Sequence, residues 1–285
     1  AGSAVDVAAR LLAQKMTENM GQSIVVENIV GASGIIGADR LSKAAPDGYT
    51  IGGFNDSVLT MVPNLNKNTP FNPVTDFTHI SKVATIEFSI SAATNSPYKT
   101  AAELVAAAKA SPGRINYASP GVGTPHHLAA LLLERSTGID ATMVPYKGGA
   151  PMIIDAAGGH VDAVFTTIPV GGPMVAAGKL KWIAIAQPTT VKSLPGIPSL
   201  VNVYKGASIP SWIGVWAPSN TPPEVLNAMN ASINATVNSA AIANKLVGNG
   251  LEPLKLSRAE TVARMNEEVK FMKDFLSKVK LDFQA

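Results

Sequence analysis

Helix-period segments and short β-branched runs alternate along most of this chain, and that order restricts the fold more than any other feature. The first segment, Val5 to Met20, carries apolar residues at helical spacing: Val5, Ala8, Leu11, Leu12 and Met16. Asp6 stands in its first turn, where negative charge favours the helix dipole, and Gly21 supplies a C-terminal stop. Ser23–Glu27 follows as a β-branched run that predicts a strand. Gly31-Ala32-Ser33-Gly34 opens a helical stretch through Lys43, and the Pro46-Asp47-Gly48 turn leads into a predicted strand over Tyr49–Phe54. The same reading predicts strands over Ile86–Ala92, Ile115–Ala118, Thr142–Pro145, Ala163–Phe165, Trp182–Ala186 and Ile213–Ala217. Helices are predicted over Thr100–Ala110, His126–Arg135 and a segment reaching Ala157. Beyond Pro222 the chain reads as helical, over Pro223–Ser239, Ala240–Gly248 and Arg258–Lys280. Repeated alternation of this kind argues for an α/β fold with parallel-rich sheets flanked by helices.

The length of 285 residues suggests two domains. Ser91–Pro97 reads as a crossing out of a first lobe and Ala207–Pro218 as the return. The expected division is residues 1–96 and 210–285 for lobe 1 and 97–209 for lobe 2. Neither crossing has the composition of a flexible linker, which favours a hinged pair sharing a cleft. With 46% hydrophobic and 15% charged residues the chain can fill large cores. Its net charge of +3 is scattered, with no Lys/Arg run, and argues against a nucleic-acid partner. The absence of cysteine excludes disulfides and thiolate chemistry and suits an oxidising compartment. No apolar run approaches the roughly 20 residues of a membrane span. The chain opens at Ala1-Gly2-Ser3, inside a loop-to-helix junction, so a signal peptide and a first strand are expected upstream.

Three Gly/Ser/Thr loops stand immediately before helices: Gly2-Ser3-Ala4, Gly31–Gly34, and Ser119-Pro120-Gly121-Val122-Gly123-Thr124. A helix N-terminus presents free N–H groups and partial positive charge, so each is a candidate anion site, although capping alone also explains Ser and Thr there. The nucleotide signatures are missing. Gly31 to Gly37 is spaced G-x-x-G-x-x-G, and Gly121-Val122-Gly123 is followed by His126 where a third glycine would stand. His126 and His127 are adjacent on one helix and point in different directions, with only His79 and His160 besides, so no metal site is expected. No G-x-S-x-G elbow occurs. Ser3, Ser119, Thr124 and Tyr146 are neutral hydrogen-bonders, better suited to holding a ligand than to moving protons. Lys147 reads either as a counter-ion for an acid or as a surface lysine on a turn. Phe54, Phe88, Phe165, Trp182, Trp212 and Trp216 read as core. The last helix reads as a solvated face, with Glu267, Glu268, Lys270, Lys273 and Asp274, over a stripe of Val262, Met265, Val269, Met272, Phe275 and Leu276.

Several segments together resemble the Bordetella uptake gene family, the periplasmic substrate-binding proteins of tripartite tricarboxylate transporters. They are Val25-Val26-Glu27-Asn28, Gly31–Ala38, Ala44-Ala45-Pro46-Asp47-Gly48-Tyr49-Thr50, Tyr117–Thr124 with His127, Val144-Pro145-Tyr146-Lys147-Gly148-Gly149, Gly158-Gly159-His160-Val161-Asp162 and Ala177-Gly178-Lys179-Leu180. Trp212, Gly214, Ala217-Pro218 and Thr221-Pro222 extend the match over nearly the whole chain. The resemblance implies a two-lobed, Venus-flytrap fold of type II that closes on a small carboxylate, di- or tricarboxylic or aromatic, and delivers it to a membrane permease. It implies a periplasmic, monomeric protein without cofactor. In such proteins the loop into the first helix carries two glycines and an aspartate; here Gly2 and Asp6 remain. The expected ligand contacts are Ser3, Ala4, Asp6, Asn55, Asp56 and Ser57 in lobe 1, and Ser119, Gly121, Gly123, Thr124, His127, Tyr146 and Thr167 in lobe 2. Ser3 and Thr124 are expected to donate to carboxylate oxygens, Gly121 and Gly123 to give amide access, and Asp6 to organise its loop. The competing readings are an α/β enzyme acting on a small carboxylic acid and an interaction module without ligand.

Overall fold

A computed structural model describes residues 3–66, 68–186, 194–207 and 211–277. Gly2 of the first loop, residues 208–210 of the expected return and residues 278–280 of the last predicted helix lie outside the described residues. Elements are numbered along the chain. One unit comprises Val5–Thr85 and Ser211–Ala285; the other comprises Ile86–Pro210 with Gly2–Ala4. The first change of unit, at Thr85/Ile86, falls ahead of the 96/97 boundary expected from sequence.

The first unit begins with α1 (Ala4–Met20), whose Ala8, Leu12 and Met16 form a buried stripe. The strand expected over Ser23–Glu27 does not form. That stretch has no regular structure, and Val25 is 87% exposed. A β-branched run becomes a strand only with a ladder partner, and no described strand pairs with this one. A 3₁₀ turn over Ala32–Gly34 leads into α2 (Ile35–Ser42), which buries Ile35, Ala38 and Leu41. Next come β1 (Gly52–Asn55), the short helices α3 (Ser57–Thr60) and α4 (Val62–Leu65), and β2 (Phe77–Ile86). After the second unit the chain returns through β8 (Ser211–Pro218), α9 (Pro223–Asn238), α10 (Ala240–Gly248), β9 (Leu251–Pro253) and α11 (Arg258–Leu276). The sheet order is β1-β8-β2-β9, with β1 antiparallel to β8 and Asn55 opposite Ile213. Its core is built on Trp212 and Trp216, stacked at 5.6 Å, with Ile35, Leu59 and Met265 around them. Gly214 stands between those tryptophans along β8. A Cβ there would come within 2.6 Å of both rings, so only glycine fits the packed pair.

The second unit holds β3 (Phe88–Ala93), α5 (Ala101–Ala110), β4 (Asn116–Ser119), α6 (Pro125–Thr137), β5 (Thr142–Pro145), α7 (Gly149–Gly158), β6 (Ala163–Thr167), α8 (Ile168–Ala176) and β7 (Leu180–Ile185). The strand expected over Ile86–Ala92 is therefore the last residue of β2 and most of β3, on the second-unit side of the boundary that β2 crosses. The sheet order is β5-β4-β6-β3-β7. Helical crossovers make β4 parallel to both β5 and β6, whereas β3 lies antiparallel to β6 and β7. The sheet is thus mixed. Its three parallel strands end at one edge, and each runs there into a helix: β4 into α6, β5 into α7 and β6 into α8.

Candidate functional site

That edge of the second unit gathers most of the predicted lobe 2 contacts. Open α/β sheets bind ligands at the carboxyl ends of their parallel strands, where helix N-termini offer unpaired N–H groups. Ser119 ends β4 fully buried, and its carbonyl accepts from the Tyr146 N–H at 2.9 Å, tying the β4 and β5 loops together. Gly121 (φ 135°) and Gly123 (φ 77°) hold conformations that side chains disfavour, which lets the loop fold tightly. Its hydroxyls are used internally. Thr124 Oγ1 donates to the Gly121 carbonyl at 2.7 Å, lies 3.4 Å from Ser119 Oγ and accepts from the His127 N–H as the cap of α6. His127 Nδ1 in turn accepts from the Gly123 N–H at 3.3 Å, and burial pulls that imidazole down to about 4. His127 is therefore neutral with its proton on Nε2. It braces the loop, and the Gly123 amide is occupied by this contact.

Thr167 differs. It ends β6 at 3% exposure, in the cap position of α8, and its Oγ1 is buried with no hydrogen-bond partner among the described residues. Tyr146 is engaged within its own unit: its hydroxyl donates to Asp155 Oδ2 on α7 at 2.8 Å. Desolvation together with that carboxylate pushes the phenol up to about 12. Lys147 is exposed, on the turn before α7.

Ser3, exposed, and Ala4, buried at the start of α1, fall with the second unit and not with the first, where the sequence placed them; the other expected contacts of that group lie in the first unit. Asp6 is buried, and its Oδ1 accepts from Arg10 Nε at 3.0 Å and Asn28 Nδ2 at 2.7 Å, fastening α1 to the irregular segment before α2. Asn55 Oδ1 accepts from Ser57 Oγ at 2.7 Å. Asp56 faces the core at 5% exposure. Its Oδ1 accepts from Ser211 Oγ at 2.5 Å and the Trp212 N–H at 3.3 Å, and its own N–H donates to the Trp212 carbonyl. Burial pushes the Asp56 carboxyl up to about 6, the Ser211 hydroxyl opposes the rise, and the Glu268 charge adds to it. The carboxylate thus pins the first residues of β8 to the end of β1.

Sequence reasoning misplaced Glu268, which it put on a solvated face. Lys82, only 2% exposed on β2, meets Glu268 Oε1 at 2.6 Å and lies 3.7 Å over the Trp212 ring, while Trp212 Nε1 donates to Glu268 Oε2. Desolvation lowers the lysine's pKa, and the Glu268 contact holds it up. No local spacing announces this trio, since its members come from three distant segments. Among the described residues no cluster of three or more His, Cys, Asp or Glu could hold a metal ion, and no helix is long and apolar enough to cross a membrane.

The profile of the tripartite tricarboxylate transporter family receptor, TctC, matches residues 8–281. BugT of Bordetella pertussis is 29% identical over 270 residues, covering 94% of this chain and 83% of BugT. Two solved structures superpose closely. R. palustris Rpa4515 with adipate has a TM-score of 0.92 at 29% identity and covers 97% of this chain and 93% of that one. MatC from Rhodopseudomonas palustris with bound malate has a TM-score of 0.87 at 25% identity and covers 96% and 95%.

Proposed function

This chain belongs to the tripartite tricarboxylate transporter receptor family, a family of two-lobed solute-binding proteins, and on that premise we propose which residues hold its carboxylate and what it serves. It is a carboxylate-binding receptor. We place one end of the ligand at the carboxyl edge of the second unit, beside the Ser119–Thr124 loop and at the N-termini of α6 and α8, with Thr167 Oγ1 donating to it. The observation that carries this is the buried, unpartnered Thr167 hydroxyl in front of α8. A buried hydroxyl left unpaired costs about 1–3 kcal/mol, and a ligand acceptor removes that cost. Ser119, Gly121, Gly123, Thr124 and His127 shape the loop, and Tyr146 anchors it to α7. Ser3 and Ala4 of the second unit and Asn55 and Ser57 of the first are further proposed contacts, while Asp6 and Asp56 act by holding backbone in place.

The ligand class extends from the diacids of the relatives to aromatic acids, because neutral donors bind any carboxylate and shape decides among them. The protein works in the periplasm as a monomer, without cofactor or turnover, and hands its ligand to the membrane permease of a tripartite transporter. A thermal-shift screen of aliphatic and aromatic acids beside their amides tests this. An acid at ~100 times its Kd adds about 2.7 kcal/mol of stability, which raises Tm by several degrees. Stabilisation by acids and not by their amides is expected. Equal stabilisation by both, or by neither, overturns the reading.

A further inference from the structure

A second buried polar atom at the same edge is left without a partner. His126 occupies the first turn of α6, one residue before the loop-bracing His127. Its ring packs edge-on against Phe88, centroids 4.9 Å apart and planes at 85°, and its Nδ1 is buried with no hydrogen-bond partner among the described residues. Phe88 in turn lies directly opposite Thr167 in the β3–β6 ladder. Phe88 therefore packs against the ring that carries one orphaned polar atom, His126 Nδ1, and stands across the ladder from the residue that carries another, Thr167 Oγ1, each at the start of a helix. Neither role assigned above, loop bracing or capping, uses His126.

We propose that His126 couples ligand capture to proton uptake, taking a proton when a carboxylate settles against the α6 end of the edge. This rests on the placement of the carboxylate there. Burial alone holds the imidazole down to about 4, so the empty protein carries it neutral at physiological pH. Phe88, facing it from β3, is uncharged, and His127 on the same turn is neutral as well. The acid nearest in sequence is Glu134, farther along α6, and the buried Glu87 adjoins Phe88 along the chain. A carboxylate brought next to His126 favours the imidazolium and raises its pKa. Between the free and bound values the complex holds more protons than its parts, so affinity rises as pH falls.

The test is a panel of C4–C8 aliphatic diacids, their mono-acid counterparts and benzoate, titrated calorimetrically at pH 5.5, 6.5 and 7.5. Two buffers of different ionisation enthalpy give the protons taken up. Wild type and the His126→Gln and His126→Phe variants are compared, with Tm checking that each variant folds. For the wild type, Kd falls by up to about tenfold per pH unit toward pH 5.5, with net proton uptake. Both variants lose that slope and the uptake. Asp56 and Glu134, which burial raises to about 6 and about 7, titrate alike in all three proteins and cancel in the comparison. Nitrogen shifts of the His126 imidazole, recorded with and without acid, assign the proton directly. An acid that binds wild type and variants with the same pH slope overturns the role of His126 and leaves the receptor reading standing. A panel in which no acid binds the wild type overturns the receptor reading, and this inference with it.

Discussion

Asp56→Asn isolates the energetic cost of burying one carboxylate under the start of β8. Asp56 is 5% exposed, and folding moves its pKa from an ordinary 3.8 to about 6. Between those values the native state binds the proton more tightly than the unfolded chain. Its contribution is therefore greatest below pH 3.8 and is lost as pH rises to about 6. At 1.36 kcal/mol per pH unit the loss comes to about 3 kcal/mol. The asparagine is nearly isosteric and still offers an oxygen to Ser211 Oγ and the Trp212 N–H, but never has to be buried as an anion. His79, His126 and His127 act in the opposite direction. Burial lowers each to about 4, so their contribution is present above pH 6.5 and lost on acidification through about 4. They are common to both proteins and drop out of the difference. Urea unfolding followed by tryptophan fluorescence, at half-unit steps from pH 4 to pH 7.5, gives the two curves. The variant should gain about 3 kcal/mol on the wild type across that range, most of it by pH 6.5. A difference that stays flat with pH would mean that the carboxylate is solvated in the native state, and the argument from its burial would fail.

Thr167→Val removes the orphaned hydroxyl at constant shape. Stability should hold or rise slightly by urea unfolding, while carboxylate affinity drops by about 1–3 kcal/mol in calorimetry; unchanged affinity would remove Thr167 from the site. Glu268→Ala leaves the Lys82 ammonium buried without its partner and should cost about 3–5 kcal/mol, most of it recovered in the double variant Lys82→Met/Glu268→Ala. A loss under about 1 kcal/mol would show that Lys82 finds water instead. Gly214→Ala forces a Cβ within 2.6 Å of the Trp212 and Trp216 rings and should lower Tm by several degrees and change the tryptophan spectrum. An unaltered Tm would mean that the stacked pair yields freely.

The parts of the fold legible in the sequence are those governed by local rules. Thr124 before Pro125-His126-His127 reads as a helix cap and is one; Gly121 and Gly123, read as giving amide access, both adopt positive φ. Ser23–Glu27 fails because β-branching records a preference for pleated, half-buried surroundings, and no described strand supplies them. The change of unit at Thr85/Ile86 escaped notice because no glycine, proline or turn residue marks it between Val83 and Phe88, and apolar residues on both sides say buried but not in which core. Glu268 misled for a related reason. Its neighbours Glu267 and Lys270 mark a polar helix face, and the buried Lys82 that recruits it is 186 residues away.

For the candidate site, residue type pointed to loops that the structure gathers at one edge of the second unit, but could not separate hydroxyls that serve the protein from those free to serve a ligand. Ser119, Thr124 and Tyr146 have the same donor chemistry as Thr167, yet each is tied to a partner in its own unit. A donor already bonded contributes to binding only by exchanging one acceptor for another, which gains little. A donor buried without an acceptor is stabilised by the full recovery of that missing bond. The same reasoning separates the two acids named beside the loops. Asp6 and Asp56 accept two hydrogen bonds each from their own unit, so a ligand carboxylate arriving near either gains no donor and meets a like charge. Under the proposed placement of the carboxylate, unpartnered, buried and uncharged polar atoms at helix ends are the groups that gain most from it, and Thr167 and His126 carry such atoms at the edge where β4, β5 and β6 end.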